Sequence, residues 1–154
     1  MLASEVEKRL RLRLVGDTSP GKPAVAWADA RGTIVLHLST LNVVLKDGWL
    51  QCSFDANPAD EPHPATLQFL YHLGRDSDSD GLTAASTINA PGAPELAAAW
   101  GDVLQRVIWD GVLDVIEGVV NVAAHQNTNR ALTLLGFLVS EGTLHVDVQI
   151  ADAA

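Results

Sequence analysis

The chain has 154 residues, of which 47% are hydrophobic and 19% charged, and its formal net charge at neutral pH is −9. A chain of this length can bury about 70% of its unfolded surface, so we expect one domain spanning residues 1–154 with a single core. The only cysteine, Cys52, excludes an intrachain disulfide, and the acidic balance disfavours nucleic acid and anionic membranes as partners.

Charge is unevenly distributed along the chain. Residues 1–15 carry four basic and two acidic side chains, whereas the rest of the chain carries six basic and seventeen acidic ones. These early charges leave no apolar stretch that fits a signal peptide. The longest charge-free, apolar-rich run, residues 32–45, is shorter than the ~18 residues that a membrane span requires. We therefore expect a cytoplasmic protein, and the Ala-, Val- and Asp-rich composition favours a bacterial or phage origin.

The first predicted element is a short N-terminal helix. Leu2, Val6, Leu10 and Leu14 fall at helical spacing, although the alternation of Arg and Leu over residues 9–14 also fits a half-buried strand. The basic side chains of this segment would attract an acidic patch on a partner or on the same chain, and otherwise they form an ordinary helix surface. They are Lys8, Arg9, Arg11 and Arg13.

An antiparallel meander is predicted between residues 24 and 89. Runs rich in β-branched and aromatic residues, bounded by Gly, Pro and Asp, are typical of strands. Asp47-Gly48 between two such runs is a strong hairpin signal, because both residues tolerate positive φ. Loops are expected at 17–23, 57–64 and 74–81. The strands are expected at 25–28, 33–45, 49–55, 66–73 and 82–89.

A single long helix dominates the second half of the chain. Residues 95–126 contain no proline and place apolar side chains at helical spacing, with a polar stripe on the opposite side. Residues 131–140 and 143–151 then form a hairpin around Glu141-Gly142. This order predicts an α+β fold, in which an antiparallel meander sheet packs on one long helix, with a short N-terminal helix and a C-terminal β-hairpin.

The length of the helix predicts contact with another subunit. Residues 95–126 would rise ~48 Å, whereas a compact domain of this size is about 40 Å across. Either the helix bends at its glycines, or its excess length packs on a second copy to give a homodimer. A third possibility is that the same face lies flat on the chain's own sheet. The residues expected at an interface are Trp100, Leu104, Gly111 and Gly118.

An acidic loop is the predicted metal site. Asp76, Asp78 and Asp80, followed by Gly81, match positions 1, 3, 5 and 6 of an EF-hand calcium loop. Position 12 is Thr87 in place of the bidentate Glu, and the flanks are predicted strands, so calcium binding here would be weak. The alternative is a solvated acidic loop, and we expect no other cofactor.

Polar and aromatic residues on the predicted outer faces of the strands form a candidate binding surface, provided that these strands are neighbours. Otherwise they are ordinary solvated side chains. The sequence contains no nucleophile elbow, zinc-ligand spacing or phosphate-binding glycine loop. The candidate residues are Trp49, Gln51, Gln68 and His72 in two strands of the meander, and His145 and Asp147 in the last strand.

These features favour a non-enzymatic, self-associating protein-interaction module, such as an adaptor, a chaperone-like protein or an assembly component. The element order and acidity resemble, at the level of fold, the small dimeric chaperones of type III secretion, although a C-terminal helix is missing and the central helix is exceptionally long. One alternative is a binder of a small apolar ligand held between sheet and helix. Another is an enzyme that uses His72, His145 and Asp147.

Overall fold

The computed structural model describes residues 1–15, 23–73, 85–126 and 130–152. It confirms the predicted α+β arrangement, with a five-stranded antiparallel sheet, a long helix, a short N-terminal helix and a C-terminal hairpin. In chain order the elements are α1 (Ala3–Val15), β1 (Val25–Asp29), β2 (Gly32–Lys46), β3 (Trp49–Pro58), β4 (Ala65–His72), β5 (Ala85–Asn89), α2 (Pro94–Gln126), β6 (Arg130–Ser140) and β7 (Thr143–Asp152).

Strands β1 to β5 form one sheet in which neighbours in sequence are also neighbours in space. The tight connections into and out of β2 use glycines: Gly32 and Gly48 have φ angles of 120° and 75°, which other residues rarely adopt. Lys46 pairs with Trp49 across the turn after β2. The hairpin predicted at this turn is therefore confirmed.

The pairing of β2 with β3 shifts register between His37 and Asn42. At this irregularity the Thr40 hydroxyl donates a hydrogen bond to the His37 carbonyl (2.7 Å) and accepts one from the Asp55 N–H (2.8 Å). A side chain thus satisfies backbone groups that the shift removes from the regular ladder. On both sides of this irregularity the two strands pair regularly.

The inner face of the sheet forms the core with both helices. On β3, Leu50, Cys52 and Phe54 are buried, whereas Gln51 and Ser53 between them are partly exposed, as strand alternation requires. One continuous cluster of buried side chains includes residues from α1, the sheet, α2 and the hairpin. Its largest fully buried members are Tyr71, Phe54, Phe69, Leu10, Leu14, Ile34, Leu36, Leu38, Leu50, Leu67, Leu73 and Leu104.

Helix α1 packs against the sheet and α2, so the helical interpretation of this segment is correct and the strand is not formed. Val6, Leu10 and Leu14 are its buried face. The Met1 ammonium donates to the Leu144 carbonyl (2.7 Å), and the Leu144 N–H donates to the Met1 carbonyl (2.9 Å). These bonds attach the chain's first residues to the edge of β7.

A row of aromatic rings joins α2 to the sheet and to the hairpin. The rings of Tyr71 and Trp109 stack with 5.6 Å between centroids, and Trp109 contacts Phe137 at 6.0 Å. The Tyr71 hydroxyl donates to the Gln105 carbonyl (2.7 Å), and burial raises the pKa of this phenol. The predicted polar stripe of α2 is exposed; it comprises Asp102, Arg106, Asp110, Asp114, Glu117 and Asn121.

Two features differ from the sequence prediction. Asn57 was expected to begin a loop, but it belongs to β3, because it pairs with Val35 and is buried. The regular alternation of apolar residues from Leu144 to Ile150 predicts one buried face of β7, but that face is buried only at its start, since Leu144 is buried and Ile150 is exposed. The predicted loops at 17–23 and 74–81 lie largely outside the described residues.

Candidate functional site

Four of the predicted binding residues share the outer face of the sheet. Trp49 pairs with His72, and Gln51 pairs with Leu70, across the neighbouring strands β3 and β4. The rings of Trp49 and His72 are in contact, with 4.9 Å between their centroids. Gln68 lies two residues before Leu70 and faces the same side. The predicted adjacency of these strands is thus present, and a binding role for the surface stays a prediction.

His145 and Asp147 lie on a different sheet. Among the described residues, β7 pairs with β6 and makes a single bridge from Thr143 to Leu2, and no strand of the five-stranded sheet pairs with it. Strand pairing therefore does not place these side chains beside His72, as the enzyme hypothesis requires.

The predicted calcium site lies outside the described residues, at Asp76, Asp78 and Asp80, so calcium binding there stays a prediction. Within residues 1–15, 23–73, 85–126 and 130–152, no three His, Cys, Asp or Glu side chains form a group that could hold a metal ion. Cys52 is fully buried, and burial raises the pKa of its thiol to about 12. Because the thiolate is the reactive form, Cys52 acts as a core residue.

The small-residue face of α2, predicted as an interface, is approached closely by α1 of the same chain. A Cβ at Gly111 would lie 2.7 Å from Cδ2 of Leu10, and a Cβ at Gly118 would lie 2.7 Å from Nη1 of Arg9. The glycines thus admit another element, as expected, and α1 is an element that uses them. Contact of this face with a second copy stays a prediction. The other two predicted interface residues, which are buried within this chain, are Trp100 and Leu104.

A cleft of about 910 Å³ opens between the start of α2 and one end of the sheet, where the turn after β1, the end of β3 and the start of β4 lie together. Its volume falls in the range of ~300–1,000 Å³ that is typical of small-ligand sites. Alanine, glycine and proline form much of the wall, so short side chains leave the space open. The ionisable lining residues are Arg31, Asp60, Glu61, His63 and Glu95, and the largest apolar ones are Leu96 and Trp100.

One wall of the cleft is an arginine stacked on a tryptophan. The guanidinium carbon of Arg31 lies 4.5 Å from the centroid of the Trp100 ring, which is a cation–π geometry. The same guanidinium donates to both carboxylate oxygens of Asp29 and to the Ala99 carbonyl. The hydrogen bonds from Arg31 hold the pKa of Asp29 below its usual range. Asp29 is therefore ionised at neutral pH and compensates the charge of Arg31.

The opposite wall is a loop fixed by the buried side chain of Asn57. Its Nδ2 donates to the carbonyls of Pro58 (2.8 Å) and Glu61 (2.6 Å), and its Oδ1 lies 2.6 Å from Nε2 of His37. Because Nδ2 is used as a donor, Oδ1 accepts, and His37 must carry a proton on Nε2. This arrangement holds the loop after β3 in one conformation.

The residues of the cleft could not be identified from the sequence, because three separate segments build it. Prolines and acidic residues between 58 and 64 are typical of an ordinary loop, and Pro94 followed by Glu95 is typical of an ordinary helix start. Only the sheet topology brings these segments to Arg31.

The other end of α2 carries apolar residues outside the core. Ile116 is the last buried residue of α2, yet the helix continues to Gln126. The contact of Phe137 with Trp109 shows that β6 runs back beside the helix. We define the distal arm as residues 119–126 of α2 together with residues 130–135 and 148–152 of the hairpin. It extends both elements beyond the core.

The distal arm exposes three large apolar side chains and carries few charges. Val122, Leu135 and Ile150 are 54%, 44% and 48% exposed. Its Lys, Arg, Asp and Glu residues are limited to Arg130 and Asp152, which face each other across the hairpin at 3.9 Å. The arm therefore differs in charge from the acidic remainder of the chain.

The edge of β7 offers backbone groups along the arm. Leu144 directs its N–H away from β6 and toward Met1. Since the direction alternates along a strand, Val146, Val148 and Ile150 direct their N–H groups to the same side. Among the described residues, no backbone hydrogen bond from outside the hairpin reaches these three positions. An open edge of this kind can pair with a strand of another chain.

Compared with known protein families, with curated protein sequences and with solved structures, the chain has no match. No helix in the described ranges is long and apolar enough to cross a membrane. Function is therefore inferred from the geometry of the chain itself.

Proposed function

We propose that this protein is a non-enzymatic, self-associating protein-interaction module of the cytoplasm, an adaptor, chaperone-like protein or assembly component, whose copies associate through their distal arms. The observation that supports this proposal is the arm itself, where α2 and the hairpin extend past the core with exposed Val122, Leu135 and Ile150. Exposed apolar patches at such positions are typical of association surfaces.

A two-fold symmetric dimer would bury the same patch on both copies. Removal of apolar area from water contributes about 25 cal/mol per Å², and the open edges of β7 add the possibility of strand pairing between copies. The arm contains about 20 residues, which approaches the number that each partner contributes to a standard interface. It is thus large enough for a specific contact.

Charge favours the arm over other surfaces for contact between copies. Each chain carries a net charge of −9, so two copies repel each other wherever their acidic surfaces meet. Arg130 and Asp152 compensate each other within the arm, and contact there avoids most of this repulsion.

Sedimentation equilibrium at 0.05 M and 0.5 M NaCl tests the proposal. Association through apolar arms should give a dimer whose affinity is unchanged or higher at high salt, because salt screens the repulsion between the acidic bodies. Association of the basic α1 with an acidic surface would instead weaken at high salt. A monomer at both salt concentrations and at micromolar protein would contradict self-association altogether.

The cleft favours a second candidate function, the binding of a small ligand between sheet and helix. Its volume of about 910 Å³ and its wall of small apolar side chains fit a ligand of modest size. The sequence led us to expect an apolar ligand. Stabilisation of the protein by such a ligand, measured as an increase in Tm, would support this second function.

A further inference from the structure

We propose that the cleft at the start of α2 binds an organic cation, a primary ammonium or guanidinium group carried on an aliphatic stem. This inference rests on the second candidate function and is independent of self-association. The cleft and the distal arm lie at opposite ends of α2, whose 33 residues span ~50 Å.

The charges around the cleft favour a cation. Asp60, Glu61 and Glu95 line it, and no ion pair joins any of them to another described residue. The one arginine in the wall is already compensated by Asp29. These three acidic residues are exposed at the rim of the cleft and give its lining a net negative charge, which attracts a cation.

The aromatic wall of the cleft accepts a guanidinium in this structure. Arg31 lies 4.5 Å from the centroid of the Trp100 ring and donates to the Ala99 carbonyl (3.1 Å). The chain's own side chain therefore shows the contacts that a cationic group makes here. Such a contact contributes about 0.5–2 kcal/mol, and displacement of Arg31 would make it available to a ligand.

The rest of the wall suits an aliphatic stem. Leu96 and Trp100 are buried at the cleft, and Ala56 and Ala65 contribute methyl groups from the ends of β3 and β4. A ligand that places its stem on these groups and its charge near the carboxylates satisfies both parts of the lining. A purely apolar ligand would gain nothing from the carboxylates, and an anion would be repelled by them.

The same chemistry is present in a free alkyl amine and in the side chain of a lysine within a peptide. Two probes separate these sources: n-butylammonium, and the capped tripeptide Ala-Lys-Ala. Tighter binding of the tripeptide would identify a peptide ligand, and tighter binding of the amine a free small molecule. Both outcomes support the cationic class.

The test compares n-butylammonium, neutral 1-butanol and pentanoate by calorimetric titration at low ionic strength, with the indole N–H signal of Trp100 followed by NMR. We expect saturable binding of the cation, a shift of the Trp100 signal, and no binding of pentanoate. Equal binding of butanol and the cation would leave ligand binding intact and overturn the cation inference. Preferential binding of pentanoate, or no binding of any probe, would also overturn it.

Matched variants identify the carboxylates that attract the cation. Replacing both Glu61→Gln and Glu95→Gln should weaken binding of butylammonium about 3- to 10-fold at low salt, because two attractive charges are removed. Glu117→Gln, an exposed substitution farther along α2, is the control and should have no effect. An equal loss of affinity in the double variant and in the control would contradict binding of the cation at this cleft.

Arg31→Gln provides a further readout that does not depend on the acidic side chains. It removes the guanidinium that covers Trp100, so butylammonium should bind more tightly. If this substitution abolishes binding instead, Arg31 is itself a ligand contact, and the proposal that it competes with the cation is wrong.

Discussion

Cys52 lies on the inner face of β3, where burial raises the pKa of its thiol from 9.0 to about 12. The native state therefore holds this proton more tightly than the unfolded chain does. Its contribution to stability is complete below pH 9 and is lost as the pH rises toward 12. Over that interval the free energy of unfolding should fall by up to ~1.4 kcal/mol per pH unit from this group.

Urea unfolding at pH 9, 10 and 11 measures this slope in the wild type and in Cys52→Ala. The variant should be less stable at every pH, because it leaves a small cavity, but its stability should decline less steeply. Tyr71, whose pKa burial also raises, remains in both proteins; the smaller part of its shift that comes from Cys52 is lost in the variant, which also makes the decline less steep. Identical slopes would contradict the burial of the thiol.

Asn57 is the residue on which the wall of the cleft depends. In Asn57→Ala the Nε2 proton of His37 and the carbonyls of Pro58 and Glu61 lose their partner. Losing these part-buried hydrogen bonds should cost about 1–3 kcal/mol in the free energy of unfolding. Asn42→Ala, at an exposed position of β2, is the matched control and should cost much less. If both variants lose the same free energy of unfolding in urea, the hydrogen bonds of Asn57 do not account for its contribution to stability.

At the scale of elements, two glycines of α2 test the packing of α1. An alanine at Gly111 would meet Cδ2 of the buried Leu10, which has no room to move, so overpacking should outweigh the gain in helix propensity by about 1–2 kcal/mol. An alanine at Gly118 would meet only the flexible end of Arg9. Gly118→Ala should therefore stabilise the protein by up to ~1 kcal/mol.

The measurement is the free energy of unfolding of both variants in urea. The two substitutions are chemically identical and lie on one helix, so each is the control for the other. If Gly118→Ala destabilises as much as Gly111→Ala, then α1 packs against α2 more rigidly near Arg9 than the structure indicates.

The elements themselves were predictable because their signals are local. The alternation in β3 and the helical spacing in α2 each depend on neighbouring residues, and the Asp47-Gly48 hairpin needs only its own turn chemistry. Contacts between distant segments decide which element covers Gly111 and whether β6 and β7 form a sheet of their own. The same is true of the cleft, so its position could not be predicted from the sequence.

At the scale of the whole molecule, α2 connects two surfaces of opposite chemistry. At its start, three carboxylates line the cleft near Trp100. At its end, the distal arm carries few charges and exposes Val122, Leu135 and Ile150. The expectation that the helix is too long for one compact body agrees with this arrangement, since α2 continues to Gln126, beyond its last buried residue, Ile116. Association at one end would leave the cleft at the other end accessible in a dimer.

The most direct test of arm-mediated association is sedimentation equilibrium of Ile150→Lys beside Leu12→Lys. Ile150 and Leu12 are 48% and 49% exposed, but only Ile150 belongs to the distal arm. Lysine is tolerated on an edge strand and near the end of a helix, so both variants should fold. We expect a dimer for the wild type and Leu12→Lys and a monomer for Ile150→Lys; a dimer of unchanged affinity in Ile150→Lys would contradict association through the arm.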